Sequence, residues 1–372
     1  MICKRKIYFL PLGSIVLIFF INVQAYAMEV SDKFSIAAVI SGAYQYQDLS
    51  DTGNFKNTGR GAIIVQPQFS FTPSEKNEIF IKFGFAAGNA LNDRTSPFAL
   101  TPWAADVEMD VKNINGRSRD YLLNAWYKHT LQFGEDFKLG LSGGIIDATD
   151  YIDENAYSSD EFSQFMNEAL VNAPNVFLPS YDIGIAVEWE YGNLGINGVV
   201  MNLGNNDQDR STDYYGFQLG YQLETGLGQG NYRVIYNRSS EDFDNPAENK
   251  LEAKKILMIS FDQKLGDSLG AWIRFGWQDD RAKINYKNLY SGGLNIDGGL
   301  WKRETDNIGL GYAIMDGGNQ DIDTSEIFEA YYRLAFNDYI ACSLDLQYLK
   351  DDMKTGNSPR GFVYGVRMTA EF

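Results

Sequence analysis

The chain has 372 residues, 14% of them aromatic and 36 of them glycine, with 49 Asp and Glu against 32 Lys and Arg for a net charge of −17. That acidity, with no basic run anywhere, excludes a nucleic-acid partner, because phosphate binding needs a concentrated basic surface. Two cysteines and one histidine leave little for a disulfide framework, and after the first residues no segment reaches the ~20 consecutive apolar residues of a membrane helix.

In chain order, Lys4, Arg5 and Lys6 precede an apolar stretch from Ile7 to Val23, and Ala25-Tyr26-Ala27 supplies a small-x-small cleavage site. Residues 1–27 therefore read as a signal peptide, and Pro11, Gly13 and Ser14 argue against an anchor helix. Cleavage after Ala27 removes Cys3 and three cations, so residues 28–372 are more acidic still and keep Cys342 alone. His129 and Cys342 both fall in strand-like runs without a supporting constellation, so no Cys/His nucleophile is expected.

From residue 34 onward the dominant period is two, the mark of a sheet with one apolar and one polar face. Candidate strands are 34–46, 61–71, 78–87, 119–132, 137–146, 182–191, 194–203, 214–224, 231–238, 254–265, 269–278 and 305–314. A hairpin follows, 328–336 and 340–348 about Asn337-Asp338, and then a last strand in which Phe362, Tyr364, Val366, Met368, Ala370 and Phe372 alternate with polar or small residues. Gly192-Asn193 and Gly266-Asp267 read as tight turns. Single-chain bacterial barrels take an even strand number, which places one more strand within 282–300. Residues 28–372 thus form one all-β domain, a transmembrane antiparallel β-barrel of sixteen strands in the outer membrane of a Gram-negative bacterium. A mean hydropathy of −0.29 fits, since a barrel shows lipid only every second residue. A soluble β-sandwich shares the alternation but not the signal peptide or the terminal aromatic, and Phe372 stands where barrels carry the signal read by the barrel-assembly machinery.

Between the strands ending near Ile146 and starting near Asp182 lies a long loop with the acids Asp147, Asp150, Asp153 and Glu154. Ser158 and Glu161 are spaced as a capping box, and Phe162, Phe165, Met166 and Ala169 recur at helical spacing, which predicts an amphipathic helix of about three turns. Its apolar face needs cover, which the barrel lumen or an outer rim against neighbouring loops can supply; the lumen is preferred, since loops partly plug barrel interiors, and makes Asp147, Asp150, Asp153, Glu154, Phe162 and Phe165 constriction candidates. Sequence spacing does not set two carboxyls across a cleft as a glycosidase requires, and the acid run lacks the glycine of a calcium loop; solvated or pore-lining acids are the simpler reading. No cofactor or metal is expected. Parity places Arg233, Trp272, Arg274, Glu329, Tyr331, Arg333, Asp345, Gln347, Arg367 and Glu371 on the lumen side, as solute contacts or as a charge ladder bracing the wall.

Gly143-Gly144-Ile145-Ile146-Asp147-Ala148-Thr149-Asp150-Tyr151, Asn167-Glu168-Ala169-Leu170-Val171-Asn172 and Leu178-Pro179-Ser180-Tyr181 resemble the carbohydrate-selective porin (OprB) family. So do Ile308-Gly309-Leu310-Gly311-Tyr312, Glu329-Ala330-Tyr331-Tyr332-Arg333, Leu346-Gln347-Tyr348 and the ending Thr369-Ala370-Glu371-Phe372. The resemblance covers most of 120–372 and implies a sixteen-stranded porin for passive uptake of small sugars or other small hydrophilic solutes, without a cofactor. Residues 28–60 carry neither the surface-layer homology region nor the coiled coil of some relatives, which implies the barrel-only form. A homo-oligomer is left open. The rival readings are a barrel enzyme such as a lipase or protease, for which His129 is the one possible His centre, and a non-channel receptor or adhesin, for which 28–60 is too short to supply a plug.

Overall fold

The structure is a computed structural model describing residues 28–50, 53–134 and 136–372; the expected signal peptide lies outside the described residues. Sixteen strands form the wall. The first four are β1 (Phe34–Ser50), β2 (Thr58–Ser74), β3 (Asn77–Phe83, resumed by Phe85–Ala87) and β4 (Leu122–Phe133). Next come β5 (Phe137–Ile146), β6 (Asp182–Tyr191), β7 (Leu194–Leu203) and β8 (Thr212–Thr225). The third quarter is β9 (Gly228–Ser239), β10 (Lys255–Leu265), β11 (Leu269–Gln278) and β12 (Tyr286–Asp297). The last is β13 (Asn307–Gly317), β14 (Ile322–Ala335), β15 (Ile340–Met353) and β16 (Arg360–Glu371).

Each strand pairs antiparallel with the next, and β1 pairs with β16 in a register that sets Ile40 opposite Ala370, so the sheet closes and has no free edge. The strand expected within 282–300 is β12. β5, β6, β7 and β11 keep their expected limits, β4 begins three residues later, and β1, β14 and β15 run several residues further at the long-loop end, because the alternation fades there while the backbone ladder continues. A short strand, Met28–Ser31, folds back on the start of β1. The first strand residues from Met28 and the last residue, Phe372, stand on the rim of short turns. Gly192 (55°) and Gly266 (73°) take positive φ in two of those turns, as the dipeptides there predict, and Gly134 (72°) does the same between β4 and β5. The opposite rim carries the long loops, 88–121 and 147–181 above all.

Alternation sorts the side chains. Ile183, Ile185 and Val187 on β6, and Phe362, Tyr364, Val366 and Met368 on β16, are exposed on the outer face, while the residues between them turn inward. An apolar belt facing lipid stabilises the wall without any protein partner. Near the short-turn rim Phe133, Phe137, Trp189 and Tyr191 make successive ring contacts at 5.3, 6.2 and 6.2 Å, and Phe372 stacks on Tyr339 at 6.1 Å. Amphipathic rings suit that interfacial level. His129 lies on this same face, bonded through Nδ1 to Asn77 Oδ1 (2.9 Å) rather than to a sulfur.

Candidate functional site

The loop 147–181 folds into the lumen rather than onto the rim, and it carries the expected short helix, though with one turn where the spacing predicts about three. Its α-helix is Glu168–Val171, one turn capped by Asn167, whose side chain accepts from Ala169 N (3.0 Å). The capping box at Ser158 and Glu161 does not form, because the Ser158 hydroxyl is consumed elsewhere: it donates to Leu170 O and accepts from Arg274 Nη1. Those long-range bonds to buried groups outweigh the local capping preference.

Two apolar clusters fill that part of the lumen. In the larger, Tyr151, Ile152, Phe165, Leu170 and Val176 of the loop pack on Val199, Met201, Tyr214, Ile235, Met258 and Met315 of the inner wall. A fully buried Phe or Leu contributes ~1.5–3 kcal/mol. Phe165 meets Trp272 edge-on at 5.7 Å and Tyr331 at 5.1 Å. It also lies so close to Gly311 that a Cβ there would stand 2.8 Å from its ring, which explains why β13 carries glycine at that level. In the smaller cluster Phe162 and Met166 pack with Trp103 and Val107 of loop 88–121, which is drawn inward alongside.

Polar wall residues tie the loops down. Arg274 pairs through Nε with Asp153 (2.7 Å) and donates to Leu170 O (3.1 Å) and Ser158. Arg367 donates to Glu161 O (2.6 Å) and Gln164 O (2.8 Å). Glu329 accepts from the backbone N–H groups of Met166 and Asn167, and Gln347 bonds Asn167 (3.0 Å), Pro102 O (2.8 Å) and Asp345 (2.8 Å). Arg233 pairs with Asp262 at 2.6 Å. Of the ten parity-assigned residues, these and Trp272, Tyr331 and Asp345 are all buried. Arg333 and Glu371 remain half-exposed, Arg333 donating to Thr305 O (3.3 Å).

Of the four loop acids, Asp153 is spent on Arg274, and Asp147 caps the turn Ala148–Asp150 by accepting from Thr149 N (2.9 Å). Asp150 and Glu154 stay half-exposed and face the other side of the lumen with Glu161. There the wall is charged: Lys82 of β3, and Lys128 paired with Glu188 at 2.5 Å. Lys82 lies 5.6 Å over the Tyr181 ring, in the field of Asp150, Asp106, Asp147 and Glu161. Tyr181 donates to Asp106 (2.6 Å), which Gln66 also reaches (3.3 Å). Sequence reading missed Lys82 and Asp106, since one lysine on an inward parity or one acid in a loop carries no mark of what will face it. The crowded acids resist ionisation. Burial, then the neighbouring Asp147, pushes Asp150 up to about 7. Burial first pushes Glu154 and Glu161 up to about 8, helped for Glu161 by Asp160 and Asp106 and opposed for Glu154 by Arg233.

The sequence pattern of the carbohydrate-selective porin, OprB family matches residues 86–372. The chain belongs to this family. A relative from Aquifex aeolicus (strain VF5), described as an uncharacterized protein, is 30% identical over 317 residues, which are 84% of this chain and 90% of the relative. Among solved structures, the high-pH structure of Pseudomonas putida OprB aligns with a TM-score of 0.71 at 16% identity, covering 91% of this chain and 94% of that one. The low-pH structure of the same protein aligns with a TM-score of 0.55 at 14% identity, covering 91% and 93%. At these identities the structures speak for the fold, a sixteen-stranded porin barrel. Family and fold together support an outer-membrane porin channel for this OprB-family chain. The resemblance is expected over most of 120–372 and more weakly before that, and the family match covers 86–372.

Proposed function

We propose that the protein is a passive channel admitting small neutral hydrophilic solutes, sugars foremost, into the periplasm. One observation carries this reading: the two inserted loops cover the inner wall from β6 to β14 with an apolar core and leave the charged side, Lys82 and Lys128 opposite Asp106, Asp150, Glu154 and Glu161, half-exposed. A passage with both signs of charge on facing walls offers hydroxyls donors and acceptors while holding none tightly, which is what conduction needs. On this reading Arg274, Arg367, Glu329 and Gln347 brace the loop, and solute meets Lys82 and the half-exposed acids. Phe372, stacked beside Tyr339 at the closing seam, serves as the assembly determinant. Its deletion should lower the amount reaching the outer membrane while export across the inner membrane stays normal.

Swelling of liposomes carrying the refolded protein tests the proposal. Monosaccharides should enter faster than organic anions of similar size. Swelling no faster than in protein-free liposomes would refute a channel, and equal rates for sugars and anions would refute the preference.

A further inference from the structure

Resting on the reading of the barrel as a sugar channel, we propose that its outer mouth carries a separate binding site for one neutral sugar ring, a cup on the opposite side of the lumen from Lys82. The cup has a volume of about 300 Å³. Small-molecule sites run from ~300 to 1,000 Å³, so this one takes a monosaccharide and not an oligosaccharide. Its walls are the outer ends of β11 and β12 with the neighbouring rim loops, and its floor is the helical turn at Glu168 with Leu100, Pro174 and Phe177. Leu100 and Tyr286 belong to the apolar core beneath, so the floor of the cup rests on packed side chains. A recess floored in this way at the mouth of a channel holds a solute rather than conducting it.

The lining chemistry selects the ligand. Five carboxamides face the cup, Asn175, Gln208, Gln278, Asn285 and Gln320. Part of this set is spent within the protein, Gln208 Oε1 on Asp244 N (2.8 Å) and Gln320 Nε2 on Asn319 (3.1 Å); the amide donors and acceptors that remain are uncharged and match vicinal hydroxyls that both donate and accept. The charged residues balance: Glu168 and Asp207 against Lys254 and Lys283, with Lys254 held 3.3 Å from Asp207 and 4.0 Å over the Phe243 ring. In a chain of net charge −17 such balance favours a neutral ligand over an ion of either sign. Glu168 is fixed through one oxygen, Oε2, by Thr101 N (3.2 Å) and Oγ1 (3.3 Å). Asn175, 2% exposed, has an Oδ1 that no donor in the protein satisfies, although buried amide oxygens are almost always paired. A ligand hydroxyl is the kind of donor that is missing, and it meets this oxygen once the Asn175 side chain turns from its place beside Gly276 toward the cup.

The test uses the full barrel and D-glucose. Asn285 and Gln320 lie on the rim, away from the passage, so Asn285→Leu with Gln320→Leu should leave the KCl conductance unchanged. Losing two neutral hydrogen-bonding groups should weaken glucose binding, read by saturation-transfer NMR, by about fivefold or more. Glucose uptake into liposomes should fall at low concentration and recover at high concentration. Unchanged affinity and uptake in the variant, with wild-type glucose uptake intact, would overturn the cup alone. Failure of the wild type to admit glucose faster than an amino acid of equal size would instead overturn the sugar-channel reading. If the variant misfolds, a diazirine-bearing glucose on the wild type decides: crosslinks within 174–177 or 278–286 support the cup, and crosslinks confined to 82–161 refute it.

Discussion

The two sides of the lumen are built from the same alternating strands and end in opposite states. From β6 to β14 the inward positions include Val199, Met201, Tyr214, Ile235, Met258 and Met315, dry beneath loop 147–181. Around β3 and β4 they include Lys82 and Lys128, half-exposed. An inward-facing residue in a barrel is therefore not by itself a pore-lining residue. What decides is whether a loop covers it, and an apolar inner wall exists here only because a loop with matching apolar residues is there to bury it.

The covered side should respond to mutation as a protein core does. Arg274→Leu strands Asp153 without its partner, and breaking a buried pair costs ~3–5 kcal/mol. Phe165→Ala opens a cavity between Trp272 and Tyr331 at a similar cost of ~3–5 kcal/mol. Both should lower the melting temperature of the detergent-solubilised barrel and raise single-channel conductance as the loop loosens. On the water-facing side Glu154→Gln should change stability by no more than about 0.5 kcal/mol. A conductance unchanged in both core variants would show that the loop does not restrict the passage, and the contrast between the sides would fail.

A smaller effect distinguishes the charges of the open side. Lys82→Met removes the cation that faces Asp106, Asp147, Asp150 and Glu161. A unit charge in water acts with ~1 kcal/mol at 4 Å, so the cation-to-anion permeability ratio should rise about fivefold, measured as the reversal potential across a salt gradient at 0.1 M. At 1 M salt the Debye length is ~3 Å and most of that shift should vanish. An equal shift from Arg274→Leu would mean that the covered side also meets the ions.

How much of this was legible beforehand follows from range. The strands were readable because period two is written locally, and Phe362 to Phe372 announces its two faces without reference to anything else. The inward parity of Arg274, Glu329, Gln347 and Arg367 was equally plain, and so was the loop with its apolar residues. Their pairing was not, since Arg274 finds Asp153 and Ser158 more than a hundred positions away. The same long-range bond ended the helix that Ser158 and Glu161 predicted, leaving one turn at Glu168–Val171. Lys82 gained its meaning only from acids contributed by two different loops.

The smallest of the expected effects is a pH dependence confined to the open side. Asp150 titrates at about 7 and Glu154 and Glu161 at about 8, raised first by burial. A carboxyl is neutral below its pKa, so at pH 6 these three contribute little charge and Lys82 and Lys128 weigh more. Raising the pH to 9 ionises all three, and the cation-to-anion ratio should climb through pH 7–8 by about twofold at 0.1 M salt, where screening acts over ~10 Å. Stability should move the other way. The unfolded carboxyls titrate near ~4, so between about 4 and 8 the folded barrel holds protons that the unfolded chain has lost, and stability falls as the pH rises through that window and then levels off. The groups are half-exposed, so the decline should be modest. Asp150→Asn with Glu154→Gln and Glu161→Gln should flatten both curves together, and a selectivity curve that keeps its rise in that variant would assign the titration to other groups.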